Sequence, residues 1–206
     1  MLSTGRDFGR QSVDPDWESV FMPESAWPVS RGDELLQRER SRLLLIDLQE
    51  RLLAVMPESS TVLSAATLLG ESARLFDVPI DVTEQYPKGL GPSVPEVAQF
   101  QATPSTKVRF SALESLGVSA ASDPGVTRDQ FVLAGVEAHV CVLQTAFDLM
   151  SLGYRVYVVA DAVTSRKSVD RDRALERLRD GGATIVTAEA VAFEWHNYGK
   201  STIGNR

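Results

Sequence analysis

One cysteine, Cys141, and two histidines, His139 and His196, are all that 206 residues offer of the softer reactive side chains. A single cysteine excludes an internal disulfide and any thiolate-cluster metal site. No apolar run approaches the roughly 20 residues of a membrane span. Residues 1–7 carry no apolar signal segment, so a reducing cytoplasmic location is expected. No G-x-G-x-x-G or G-K-[ST] follows an apolar run, which lowers the odds of a nucleotide-binding protein. Excess positive charge is also missing. The formal net charge of −7 argues against nucleic acid or an anionic membrane surface as a partner.

The length suits one domain, or one domain with an extension. Residues 1–40 are polar and mixed in charge, with Pro15, Pro23 and Pro28 and the aromatics Phe8, Trp17, Phe21 and Trp27. Disordered tails are poor in aromatics, so the expectation is an arm over 1–40, docked or loosely ordered, ahead of a domain over 41–206. Residues 34–40 read as a short helix entering that domain.

From there, short apolar runs alternate with helical patterns. Leu43-Leu44-Leu45-Ile46 fits a strand buried on both faces, ended by Asp47. Residues 61–76 form an amphipathic helix, with Ser59 or Ser60 as its cap. Residues 78–83 read as the second strand. Residues 84–104, broken by Pro87, Gly89, Gly91, Pro92 and Pro95, read as a lid over a crevice, or as a subunit-packing excursion. Residues 105–110 are a third strand, and Ser111 with Glu114 forms a capping box for the next helix. Strands are also expected over 131–134, 154–160 and 183–187, and helices over 140–152, 170–179 and 188–195. Six strands alternating with helices imply an α/β fold with a parallel sheet.

The segment 131–142 matters most. Four apolar or small residues end at Gly135, and Val140, Leu143, Phe147 and Met150 then repeat at helical spacing. Cys141 lies at the transition, where open α/β sheets bind ligands. The adjoining helix start is expected to favour the thiolate. Asp47 and Lys107 also fall at strand ends. A cysteine nucleophile needs a base or a charged neighbour. Asp47 with Lys107 is chemically sufficient. A histidine is the other reading, although His139 is expected to point elsewhere and His196 is far along the chain. Asp161, Arg109, Arg166 and Trp195-His196 read as structural, solvated or packing residues.

Together Leu-Leu-Ile-Asp47-Leu-Gln49, Thr83-Glu-Gln-Tyr-Pro-Lys-Gly-Leu-Gly91, Thr106-Lys107-Val-Arg-Phe110-Ser111, Gly135-Val-Glu-Ala-His-Val-Cys141 and Val-Ala-Asp161-Ala resemble the isochorismatase-like cysteine hydrolase superfamily, in order and spacing over residues 42–195. The resemblance implies a three-layer α/β/α, Rossmann-like fold with a six-stranded parallel sheet. It implies a catalytic triad of Asp47, Lys107 and Cys141, and a cis peptide between Val136 and Glu137. In the family that peptide aims the Glu137 N–H, with the N–H of Cys141, at an oxyanion. Gln49, Tyr86 and Phe110 become substrate-binding candidates. The nicotinamidase branch carries an Asp/His metal cluster after the second strand. Here Glu84-Gln85-Tyr86-Pro87 stands instead, so no metal and no cofactor are expected. The implied activity is hydrolysis of a C–N bond in a small amide-like molecule through a thioester, by a homo-oligomer. The alternative is a non-catalytic oligomeric scaffold or binding protein that keeps the fold.

Overall fold

In a computed structural model of the chain, the structure describes residue 32 and residues 34–196. The remainder of the expected arm, with Phe8, Trp17, Phe21 and Trp27, lies outside the described residues. The compact unit begins at Leu35. Leu36 is fully buried in it. Residues 34–40 make turns rather than the expected helix. The N–H groups of Leu36 and Gln37 go instead to the side chains of Glu194 and Gln130.

Among the described residues, six parallel strands form one sheet in the order β3-β2-β1-β4-β5-β6. They are β1 (Ser41–Ile46), β2 (Ile80–Gln85), β3 (Ser105–Lys107), β4 (Gln130–Val136), β5 (Arg155–Thr164) and β6 (Thr184–Val186). The helices are α1 (Glu50–Leu53), α2 (Ser59–Leu75), α3 (Pro87–Leu90), α4 (Pro95–Ala98), α5 (Leu113–Leu116), α6 (Leu143–Ser151), α7 (Ser168–Asp180) and α8 (Ala188–His196). A π-helical turn, Ala138–Val142, precedes α6.

Strand alternation divides the core in two. Leu43, Leu45, Val132 and Ala134 pack on one face with Val62 and Leu69 of α2 and Val191 and Trp195 of α8. Leu44, Ile46, Phe131 and Leu133 pack on the other with Leu149 of α6 and Ala174 and Leu178 of α7. Both faces of β1 and β4 are thus covered, which is why they read as unbroken apolar runs. Fully burying one such leucine contributes about 1.5–3 kcal/mol. The result is three layers, α/β/α.

Local chemistry moved several element ends. The cap of α2 is Glu58, which makes no side-chain capping hydrogen bond, and Ser59 and Ser60 lie inside the helix. Strand β3 stops at Lys107, because the following carbonyls turn to meet that lysine's own amine. The expected capping box is absent, since α5 starts after Ala112 and Ser111 Oγ accepts only the Leu113 N–H. Strand β5 runs past Asp161 to Thr164, with a register shift against β4 between Leu133 and Gly135. Arg171 holds that irregular stretch by donating to the carbonyls of Ala160 and Val163. Asp161 accepts the Ala188 N–H at the start of α8, a structural role.

Candidate active site

The strand order reverses direction between β1 and β4, and crevices outside the carboxyl ends at such a switch point bind ligands in open α/β sheets. The structure brings Asp47, Lys107 and Cys141 together there. Asp47 follows β1 in a left-handed conformation, φ 54°, sparsely populated for a residue with a side chain. Its N–H is held by the Thr83 carbonyl, and its own carbonyl accepts the Gln49 N–H.

The carboxylate of Asp47 is fully buried and Lys107 nearly so. Lys107 Nζ donates to Asp47 Oδ2 at 2.6 Å. It also donates to Gln85 Oε1 at 2.8 Å and to the Phe110 carbonyl at 2.9 Å. An ammonium has three protons, so these three acceptors saturate it. Thr83 Oγ1 donates to Asp47 Oδ1 at 2.8 Å. A buried pair survives desolvation only when its remaining sites are filled in this way.

Close approach between β1 and β4 depends on Gly135, with φ 135°. A Cβ there would lie 2.0 Å from the Ile46 carbonyl oxygen. One residue on, the Val136–Glu137 peptide is cis. The Glu137 carbonyl accepts the N–H groups of Val140 and Val142 but not that of Cys141 between them. π-helical turns are frequent at functional sites. Burial pushes the Glu137 carboxyl up. The Arg166 backbone N–H and guanidinium, both bonded to Glu137 Oε2, prevail and hold it below its usual range.

The Cys141 thiol is buried, close enough to Asp47 and Lys107 for the charge of each to act on it. It does not favour the thiolate as the sequence suggested. Burial first, then the Asp47 charge, push it up to about 12 against the opposing pull of Lys107. Cys141 is the fourth residue of its turn, and the expected benefit of the helix start does not offset that burial. Cys141 therefore rests as a thiol beside the Asp47 carboxylate.

The binding candidates separate. Gln49 is fully buried. Its Nε2 donates to the carbonyls of Gln85 and Gly91, and its Oε1 accepts the Gln85 N–H. That amide serves the loop. Tyr86 and Phe110 are half-exposed on the connections after β2 and β3. Residues 84–104, expected as a lid, are pinned instead. Glu84 accepts both the N–H and the hydroxyl of Ser93, and the N–H groups of Glu50 and Val94 go to the Pro92 and Leu48 carbonyls. His139 turns to Ser165, 2.9 Å away. Arg109 is exposed beside Glu114.

Thr83, Gln85 and Thr145 were missed. Thr83 and Gln85 alternate on one face of β2, and Thr145 lies four residues after Cys141, so strand and helix periodicity held a signal for each. Among the described residues, no group of three or more His, Cys, Asp or Glu side chains is placed to hold a metal ion. No described helix is long and apolar enough to cross a membrane. Two cavities of about 350 and 400 Å³ border Arg128 near the amino ends of the strands, and neither is lined by Asp47, Lys107 or Cys141. The buried charges, rather than those hollows, mark the site.

A three-layer parallel sheet with a buried carboxylate, amine and thiol gathered at its switch point defines an α/β protein of the Rossmann-like class. The chain belongs to the isochorismatase-like hydrolase family: the Isochorismatase domain matches residues 41–190. It is 40% identical over 159 residues to isochorismatase domain-containing protein 2 of Danio rerio, covering 77% of this chain and 80% of that one. A solved structure named MAR1 ribonuclease, from Caenorhabditis elegans, superposes with a TM-score of 0.73 at 34% identity, over 82% of this chain and 87% of its own. The YcaC gene product of Escherichia coli, described as an octameric hydrolase of unknown specificity, superposes at 0.70 and 24% identity, over 82% and 85%. At that identity it speaks to the fold.

Proposed function

We propose that this protein is a metal-independent cysteine hydrolase that cleaves the C–N bond of a small amide-like molecule. The observation carrying this reading is the buried Asp47–Lys107 pair in reach of the Cys141 thiol. Asp47 takes the thiol proton as Sγ attacks the carbonyl carbon. The oxyanion is received by the N–H groups of Glu137 and Cys141. Removal of one such donor elsewhere costs about 2.7–4 kcal/mol. Collapse breaks the C–N bond, and the amine leaves with the proton from Asp47. Water, deprotonated by Asp47, then adds to the thioester carbonyl; the Sγ–C bond breaks, Asp47 returns its proton to Cys141, and the acid is released. Lys107, saturated by its three acceptors, gives no proton. It holds Asp47 in place and balances its charge.

A thiol raised to about 12 suits this order of events, because the proton moves only when substrate is present. Tyr86 and Phe110, half-exposed on the connections after β2 and β3, are the candidate substrate contacts. The reading includes a cytoplasmic homo-oligomer, as the family resemblance implies. A ribonuclease reading is raised by the name of the Caenorhabditis elegans structure, but a net charge of −7 opposes binding a polyanion.

The test is turnover of a panel of small amides and imides, with RNA alongside. Intact mass would follow an acyl adduct on Cys141. Amine release that vanishes in Cys141→Ala, with the adduct seen in wild type, supports the reading. Amide turnover that persists in Cys141→Ala sinks it, and RNA cleavage without amide turnover replaces it. No turnover and no adduct across the panel returns the protein to a scaffold role.

A further inference from the structure

We infer that Thr145 is a positioning residue that couples the nucleophile's turn to the carbonyl cradle of Lys107, so that thiol, amine and carboxylate keep one geometry. The inference rests on the reading of Cys141 as the reacting atom. Thr145, on α6, is fully buried. Its Oγ1 donates to the Cys141 carbonyl at 2.7 Å and accepts the Ala112 N–H at 2.9 Å. Ala112 is itself fully buried. It closes the segment 108–112, whose Phe110 carbonyl accepts Lys107 Nζ at 2.9 Å and whose Arg109 carbonyl lies at 3.4 Å.

That segment has no strand or helix of its own. Its Val108, Arg109 and Phe110 are exposed. It keeps its place through Gln85, which donates to the Val108 carbonyl, through Lys107, and through the Thr145 hydroxyl. One hydroxyl therefore bridges the turn that carries Cys141 and the segment whose Phe110 carbonyl accepts from Lys107. A valine would fill the same space yet leave the Ala112 N–H buried without its acceptor. A serine would keep both bonds.

The test needs no substrate. Iodoacetamide alkylation of Cys141 is followed by intact mass from pH 7 to 10 in wild type, Thr145→Val and Thr145→Ser. The same series is repeated in an Asp47→Asn/Lys107→Met background, where no unpaired charge is buried. Thr145→Val is expected to slow alkylation about tenfold at each pH, displacing the rate–pH line by about one unit, because the pull of Lys107 on the thiol weakens. Thr145→Ser should stay within about twofold of wild type, and Thr145→Val should lose its effect in the background lacking the amine. Equal slowing in both backgrounds overturns the coupling, as does no slowing in either.

A second measurement covers failure of the valine variant to fold. Hydrogen exchange at the Ala112 amide should accelerate at least tenfold in Asp47→Asn/Lys107→Met relative to wild type. Unchanged exchange there also overturns the proposal. Coupling found without any amide turnover leaves Thr145 in place while removing the hydrolase reading, so the two failures are distinguishable.

Discussion

The two ends of the sheet each carry a buried polar cluster, built on opposite principles. At the amino ends the buried polar side chains, Ser41, Gln130, Tyr157 and Trp195, are neutral, and the charged pairs Arg40–Asp129 and Arg42–Asp81 lie only partly buried around them. Gln130 Oε1 accepts the Gln37 N–H, and Gln130 Nε2 donates to the Leu35 carbonyl and the Tyr157 hydroxyl. Ser41 Oγ donates to the Gln37 carbonyl and accepts Trp195 Nε1–H. At the carboxyl ends Asp47 and Lys107 are buried as opposite charges beside a thiol. Neutral bonds contribute about 0.5–1.5 kcal/mol each. Buried ions cost several kcal/mol each before their pairing offsets it. The first cluster holds the entry of the chain against β1, β4 and α8. The second is costly as architecture and sets a carboxylate beside a thiol.

This contrast predicts graded responses. The largest belongs to Gly135→Ala at the carboxyl end, where a Cβ meets the Ile46 carbonyl at 2.0 Å. It should cost more than about 4 kcal/mol, read as a collapse of the denaturation midpoint. A folded protein with normal stability would show that β1 and β4 can part there without loss.

Next is Asp47→Ala, which leaves the Lys107 ammonium buried and unpaired. About 3–5 kcal/mol should be lost, together with amide turnover. Asp47→Asn/Lys107→Met should recover much of the stability and none of the turnover. If stability stayed low in that double variant, the charge argument would be the wrong account of the carboxyl end.

The thiol gives a third response. Its folded value of about 12 lies above the ordinary 9.0, so the folded state holds the proton more tightly. The resulting stability is full below pH 9 and is lost as pH rises toward 12. The slope is about 1.4 kcal/mol per pH unit. Cys141→Ser should flatten that part of the curve in urea titrations between pH 8 and 11. Identical curves for the two proteins would contradict a protonated resting thiol.

The smallest effect is at the other end. Gln130→Leu removes the acceptor of the Gln37 N–H and should cost about 1–3 kcal/mol. Amide turnover at saturating substrate should stay within about twofold of wild type. A large loss of turnover without a loss of stability would mean the two ends are not independent.

Much of this was legible along the chain. Leu43-Leu44-Leu45-Ile46 announced a strand covered on both faces, and α2 showed its buried stripe through Val62, Ala66, Leu69 and Ala73. Asp47, Lys107 and Cys141 could be placed at strand ends because apolar runs stop where the crevice begins. Less visible were contacts closed across long separations. Gln49 looked like a pocket residue because position cannot reveal that its amide is spent on Gln85 and Gly91. The connection 84–104 looked like a lid because proline and glycine advertise broken structure, whereas Glu84 and Ser93 tie it down. Strand β5 looked shorter because Arg171, which supports its irregular stretch, comes later in the chain.

Periodicity and residue chemistry in local stretches already dictated the alternation of strands and helices, the parallel sheet, and the placing of Asp47, Lys107 and Cys141 at strand ends. Those properties depend on neighbours a few residues apart. Tertiary structure alone decided the protonation of Cys141, the saturation of Lys107 and the service of Thr83, Gln85 and Thr145. A pKa and a filled hydrogen-bond shell depend on how much water is removed and on which distant atoms replace it, and both are fixed only when β1, β2, β3 and β4 close around one point.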